Sequence, residues 1–432
     1  MSQNSLDSFN EENKENKELS KKPINYEEDI LKNINIKEEG NKKGDKESIN
    51  EYQKIPELSN IISNSKEIVK ERNIGIDLLR IIAMYMIVIL HVLGQGGIIS
   101  NSKKFSLSFY LAWLLETFAF CGVNVFGLIS GYVMINSNVN QYKIILLWLN
   151  VFYYSSIIAL MFKYIPYFSK LYQVTTYYLI ISIFFPTISR RYWYFSAYFG
   201  MYFFIPYLNK LIHSLNQKEM KNLCLTIIIL FTILHFLAPG KFDPFSLYSG
   251  YTTLWLISLY IFGAYLKLYS IQLSKKKILL LYIISIIFPW IFLLKFLNVF
   301  VSKYKYNAGL FIQYNSPFIL LNAIMLVTIF SELKIKKNKF LQKIIGILGL
   351  QSFNVYLIHT NPLVFESYSN SFKHLANKNP FIMDLLVLVY ALGIFFSCII
   401  IDQIRFHLFN ILKVHVIPNK IKNIIHKYII RK

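Results

Sequence analysis

Acidic residues are scarce along most of this chain. Its 432 residues include 24 Asp and Glu against 46 Lys and Arg, and sixteen of the acids fall within the first 72 positions. Only eight acids serve everything that follows. The first 72 residues therefore carry about −3, and the remainder about +25. The bases of the long part sit in short stretches between apolar runs rather than on a continuous basic face, so no nucleic-acid partner is expected. Cysteine is scarcer still. Cys121, Cys224 and Cys398 each lie within an apolar run, which excludes a disulfide framework and a cysteine metal site. His213, His235, His374, His407, His415 and His426 show no ligand spacing, and no metal is expected. Residues 1–72 contain no apolar segment of the kind a signal peptide needs. Nor is there an internal repeat with Gly/Pro-broken helices at matching positions of two halves, the pattern of many transporters.

What the chain has in quantity is apolar length. Hydrophobic residues make up 54%, aromatics 17%, and the mean hydropathy is +0.40. An all-α, polytopic membrane bundle is expected, since about 20 apolar residues cross a bilayer as a helix. Ten spans are read, at 74–94, 117–135, 143–163, 193–212, 222–238, 250–269, 278–298, 316–333, 344–365 and 380–403. Residues 107–116 read as an interfacial piece before the second span. The run at 175–186 is too short to cross and reads as re-entrant or interfacial. Lys66, Lys70 and Arg72 place the chain start in the cytoplasm, and alternation then places Lys275–Lys277 and the lysines between 334 and 343 there too. Both termini are expected inside; Arg190 and Arg191 fit this scheme worst. Residues 1–72, rich in Glu, Lys, Asn and Ser, read as a disordered cytoplasmic tail. A membrane domain is expected over 73–412. Residues 413–432 read as a basic amphipathic tail on the inner surface. The wealth of Lys, Asn, Ile and Tyr suggests an AT-rich genome and hence a low-GC bacterium, so the expected location is a bacterial plasma membrane.

The first span is the unusual one. It reads IGIDLLRIIAMYMIVILHVLG and carries Asp77, Arg80 and His91. Charged residues at membrane depth cost roughly 2.5–3.5 kcal/mol each on insertion scales, so they face the protein interior and serve a purpose. At 3.6 residues per turn the three share one stripe, with Arg80 and His91 about 16 Å apart along the axis.

An Arg, ten residues and a His in the first span resemble the signature of acyltransferase family 3, the multispan membrane acyltransferases. Three further segments resemble the family in order: Phe126 to Tyr132 with Ser130-Gly131, Trp193-Tyr194-Phe195 followed by Tyr202 to Pro206, and Ser352-Phe-Asn354-Val-Tyr356-Leu-Ile-His359. One feature departs. Many members have an Arg-rich turn before the third span, where this chain has Lys143.

The resemblance implies acyl-CoA as co-substrate, no bound cofactor, and a hydroxyl acceptor. An imidazole titrates near neutrality, so His91 suits a general base that deprotonates an acceptor hydroxyl as it attacks a thioester. Arg80 suits the donor's phosphates, by charge-assisted bonds. Asp77, one turn earlier, orients Arg80 or simply pairs with it. Glu116, at about the depth of His91, either orients the imidazole, binds acceptor hydroxyls, or snorkels to the interface. Ser130, Tyr132, Trp193, Tyr194, Asn354, Tyr356 and His359 are candidates for cavity lining, with Ser130 and Gly131 suited to close helix packing.

The expected activity is transfer of an acyl group, acetyl first, from acyl-CoA to a hydroxyl of a cell-surface glycan or its lipid-linked precursor. The expected partners are acyl-CoA, that acceptor and the bilayer. With no further domain after the membrane part, the chain completes transfer itself or hands over to a separate extracytoplasmic transferase. Ten spans with buried charges also suit a polysaccharide or lipid-linked sugar flippase. A membrane scaffold using the charged tail is the third reading.

Overall fold

The structure is a computed structural model that describes residues 73–137, 141–187, 192–237, 243–299, 311–334, 338–425 and 427–428. The expected tail over 1–72, with Arg190, Arg191, Lys336, Lys337 and His426, lies outside the described residues. Among those described there are helices and no strands. The main ones are α1 (Ile74–Leu93), α2 (Leu107–Ala119), α3 (Gly122–Met134), α4 (Ile144–Tyr164), α5 (Thr176–Phe184), α6 (Trp193–Ser214) and α7 (Gln217–Leu237). They continue with α8 (Thr253–Tyr269), α9 (Lys275–Val299), α10 (Pro317–Ser331), α11 (Lys339–His359), α12 (Pro362–Ser367), α13 (Pro380–Ile411) and α14 (Ile417–Ile425).

Every one of the ten apolar runs holds a helix. Among the described residues, seven spans are long and apolar enough to cross a membrane, and α8 and α10 are shorter apolar helices. The protein is a polytopic helical membrane protein. α6, with 22 residues, is long enough but is broken in apolarity by its tyrosines, Asn209 and Pro206. α5 has nine residues, in keeping with a run too short to span, and lies along α4, where Ser155 donates to the carbonyl of Ser182 at 2.7 Å.

α1 is the central helix. It packs against α2, α3, α10, α11 and α13. Of the most apolar stretch in the span that begins at Ile74, 67% is buried inside the protein, against 22% for α7 and 28% for α9 and α13. Those three turn apolar side chains outward, where a bilayer supplies the contacts that water cannot. Asn73 fixes where α1 begins. Its side-chain oxygen accepts from the Ile76 amide at 3.1 Å, and its Nδ2 donates to the Ser331 carbonyl on α10 at 2.9 Å.

Of the boundaries that differ from the sequence reading, two have a clear local cause. The second span is one 28-residue stretch, Leu107–Met134, that bends between Ala119 and Gly122 instead of dividing at 116. Thr117 bonds back to the Trp113 carbonyl at 2.8 Å, a contact that bends helices. The run 344–365 does not continue straight. α11 stops at His359, and Asn361 caps α12, whose first residue, Pro362, cannot extend the preceding helix.

The tightest crossing is between α3 and α8. A Cβ added at Gly131 would lie 1.9 Å from the Tyr260 carbonyl oxygen, and one at Gly263 would lie 2.0 Å from that of Leu128. Both neighbours are backbone and cannot swing aside. Gly131→Val forces the two helices apart, at a cost of roughly 1–3 kcal/mol or more. The expected result is a lower midpoint for thermal unfolding in detergent, while Gly393→Ala, with open space around its Cα, leaves the midpoint unchanged.

Candidate active site

Five helices (α1, α3, α4, α6 and α11) and the α11–α12 corner enclose a cavity of about 630 Å³. Arg80 and His91 of α1 both line it, so two of the three residues on the stripe face one continuous space. Between them the walls are largely apolar, with Met84, Ile87, Val123, Ile129 and Phe353, and the described tyrosines Tyr194, Tyr198 and Tyr356 add hydroxyls. A volume of this size fits an organic ligand of moderate size.

At one end Arg80 pairs with Asp77, Nη1 to Oδ1 at 2.5 Å. Asp77 is 1% exposed and sits behind Arg80, under Gly349 of α11, outside the cavity wall. It thus acts on the arginine and lies far from His91. At the other end the His91 ring meets the Phe365 ring edge-on at 5.0 Å, and Thr360, Pro362 and Glu366 close the space.

The partner of His91 is His359. Nδ1 of His91 lies 3.0 Å from Nε2 of His359, and Nδ1 of His359 lies 2.6 Å from the Val355 carbonyl oxygen. The tautomers follow from that carbonyl, which only accepts. Nδ1 of His359 must carry a proton, so Nε2 of a neutral His359 is an acceptor. His91 then donates from Nδ1, and its Nε2 holds the lone pair. The pair is arranged like a base and its orienting group. Glu116 does not fill that orienting role.

The cavity-lining expectations divide. Ser130, Trp193, Tyr194 and Tyr356 line it; Tyr132, Asn354 and His359 do not. Tyr132, two residues past Ser130, points to another face of α3, with the Lys267 ammonium 4.9 Å above its ring. His359 stands behind His91. Asn354 faces away, donating to Oδ2 of Asp402 at 3.2 Å. Asp402 also takes a bidentate pair of bonds from Arg405, at 2.6 and 3.0 Å, and one from the Tyr154 hydroxyl at 2.5 Å. That buried network joins α13 to α11 and α4. Ser130 donates to the Phe126 carbonyl at 2.9 Å, which occupies its hydroxyl within its own helix.

Glu116 lies level with His91 but outside the cavity wall. Gly122 sits against Ala83 and Ile87 of α1, and the two spans are antiparallel, so a residue six positions earlier comes roughly level with His91. Sequence reading missed Glu366, a second acid at the His91 end. Gln95 donates to the Phe365 carbonyl at 3.2 Å and approaches the Glu366 carboxylate at 3.4 Å. Its signal was its rarity among the eight acids after residue 72. No cluster of His, Cys, Asp and Glu among the described residues can hold a metal ion.

The family model of acyltransferase family 3, described as an acyltransferase domain, matches residues 73–402. The chain belongs to acyltransferase family 3. The match begins at the residue that caps α1 and ends at Asp402, so it contains every cavity residue named above. Searches of curated proteins and of solved structures gave no match. As a family 3 protein the chain is a membrane acyltransferase, and Arg80, His91 and the segment ending at His359 are the parts that the cavity draws together.

Proposed function

We propose that the protein transfers an acyl group, acetyl first, from cytosolic acyl-CoA to a hydroxyl of a cell-envelope glycan or its lipid-linked precursor, in a bacterial plasma membrane. The single observation that carries this is one cavity lined by Arg80 at one end and His91 at the other. The axial step of about 16 Å between them matches the reach of an extended pantetheine arm. Arg80 holds donor phosphates at the cytosolic mouth, the side the lysine-rich loops support. The apolar walls accommodate the arm, and the thioester comes to lie at His91.

There Nε2 of His91 takes the proton of the acceptor hydroxyl while its oxygen bonds to the thioester carbonyl carbon. The tetrahedral intermediate collapses with cleavage of the carbon–sulfur bond. The departing thiolate takes the proton back from His91, leaving an ester and free thiol. His359 accepts from Nδ1 of His91 throughout, which keeps the lone pair on Nε2 and spreads the charge of the imidazolium.

Proteoliposomes loaded with radiolabelled acetyl-CoA and presented with envelope glycan on the outer face test this reading. Label is expected in the glycan, removable by mild base as an ester; label that stays in CoA excludes the reading. His359→Ala leaves the Nδ1 proton of His91 without its acceptor, a loss of roughly 1–3 kcal/mol. Turnover is expected to fall roughly 10–100-fold at unchanged acetyl-CoA affinity. Equal turnover in wild type and variant contradicts the orienting role.

A further inference from the structure

Beside the His91 cavity, a second group of side chains has the composition of a carbohydrate site. Tyr251 is 45% exposed. The Trp193 ring lies behind it at 4.3 Å, and Tyr314 lies 4.9 Å from Tyr251 and 5.6 Å from Trp193. Trp193 and Tyr314 also line the cavity that contains His91, so the aromatic platform opens into it.

The platform is built rigidly. Asn124 donates to the Tyr314 carbonyl at 2.6 Å and accepts from Trp255 Nε1 at 3.1 Å, and the Tyr314 amide donates to the Ser249 carbonyl at 3.2 Å. The loop that presents Tyr251 is strained. Ser246, Tyr248 and Ser249 all adopt left-handed backbone angles, with φ of 50°, 47° and 58°. Non-glycine residues avoid that region, and such strain collects at functional sites.

The second component is polar. Phe120, one turn past Glu116 on the same span, lies 4.9 Å from the Tyr314 ring, which brings Glu116 close to the platform, within electrostatic range of Tyr251 and Tyr314. Its Oε2 is shielded from solvent and has no hydrogen-bond partner among the described residues. The same is true of Trp113 Nε1, one turn earlier on α2. A buried acceptor and a buried donor left unpaired are costly, and a ligand that brings hydroxyls satisfies both.

We propose that Tyr251, Trp193, Tyr314, Trp113 and Glu116 form the acceptor subsite, and that its ligand is a neutral pyranose ring of a glycan. The proposal rests on the acyltransferase reading and adds the identity and place of the acceptor. The apolar face of the ring lies on the exposed Tyr251 ring, and its hydroxyls bond to Glu116 and Trp113. The next hydroxyl along the chain reaches His91 through the shared cavity. No lysine or arginine pairs with Glu116 among the described residues, so a uronic acid's carboxylate would be buried there with no cation to compensate it and is rejected.

The test uses the full chain in detergent on an immobilised panel of neutral and uronic-acid oligosaccharides, with acetyl-CoA binding measured in parallel. Wild-type protein is expected to bind neutral glycans. Tyr251→Ala and Glu116→Gln each lose roughly tenfold or more of that binding, Tyr251→Phe keeps most of it, and all three bind acetyl-CoA as wild type does. Acetyl-CoA binding doubles as the check that each variant is folded. Glycan binding that persists in Tyr251→Ala and Glu116→Gln, a preference for uronic acids, or no glycan binding at all overturns the subsite. Loss of acetyl-CoA binding in wild type overturns the acyltransferase reading instead.

Discussion

His91→Ala is expected to abolish acyl transfer while acyl-CoA still binds. The imidazole's lone pair is fixed by an outer partner, through the His91–His359–Val355 sequence of contacts at 3.0 and 2.6 Å. Removing a general base typically costs roughly 10²–10⁴-fold. In the proposed function the donor's phosphates lie about 16 Å away along α1, out of reach of the substitution. Transfer falls, and the dissociation constant for acyl-CoA stays within about twofold of wild type. Single-turnover transfer and equilibrium binding on the same purified samples check both halves. A flippase needs neither acyl-CoA nor a base at this position, so the division separates the two classes of protein.

Arg80→Ala carries the second large effect, in the opposite column. Losing charge-assisted bonds to phosphate weakens donor affinity roughly 10–100-fold. Arg80→Lys recovers part of it, because a point charge replaces a planar fork. The substitution also removes the ion pair with Asp77, which is buried, and a broken buried pair destabilises the fold. The variant Asp77→Asn/Arg80→Ala takes away both charges together. Weak donor binding in the single and the double variant alike assigns the loss to the phosphate contact. Restored binding in the double variant assigns it to the stranded carboxylate.

The helical plan was readable because a bilayer imposes it. Every backbone group in a span must be satisfied within the span, so the apolar runs correspond to helices, seven of them among the described residues long and apolar enough to cross a membrane. Their ends were less readable, since single polar contacts decide them. Thr117 bending back to Trp113 and Pro362 ending α11 each moved a boundary that hydropathy averages over. Within the site, Arg80 and His91 stood out because charges are rare at membrane depth and helical spacing put them on one stripe. His359 was visible as a candidate for the wall but not as the partner of His91, a contact between residues 268 positions apart. Asn354 looked equivalent to Tyr356 on the same helix. Only the three-dimensional position of Asp402 shows that it belongs to a different network. Glu116 was found for its rarity and given the wrong neighbour. Glu366, equally rare, had no local pattern around it, because the corner that brings it to the cavity is made by Asn361 and Pro362.

In the proposed function one cavity carries the donor from Arg80 to His91. Photolabelling with an acyl-CoA that bears a diazirine on its acyl group tests it most directly. Peptides containing residues 84–91 and 353–366 are expected to be labelled, labelling to persist in His91→Ala, and excess acetyl-CoA to suppress it. Label confined to peptides away from this cavity, or unaffected by acetyl-CoA, would contradict the account.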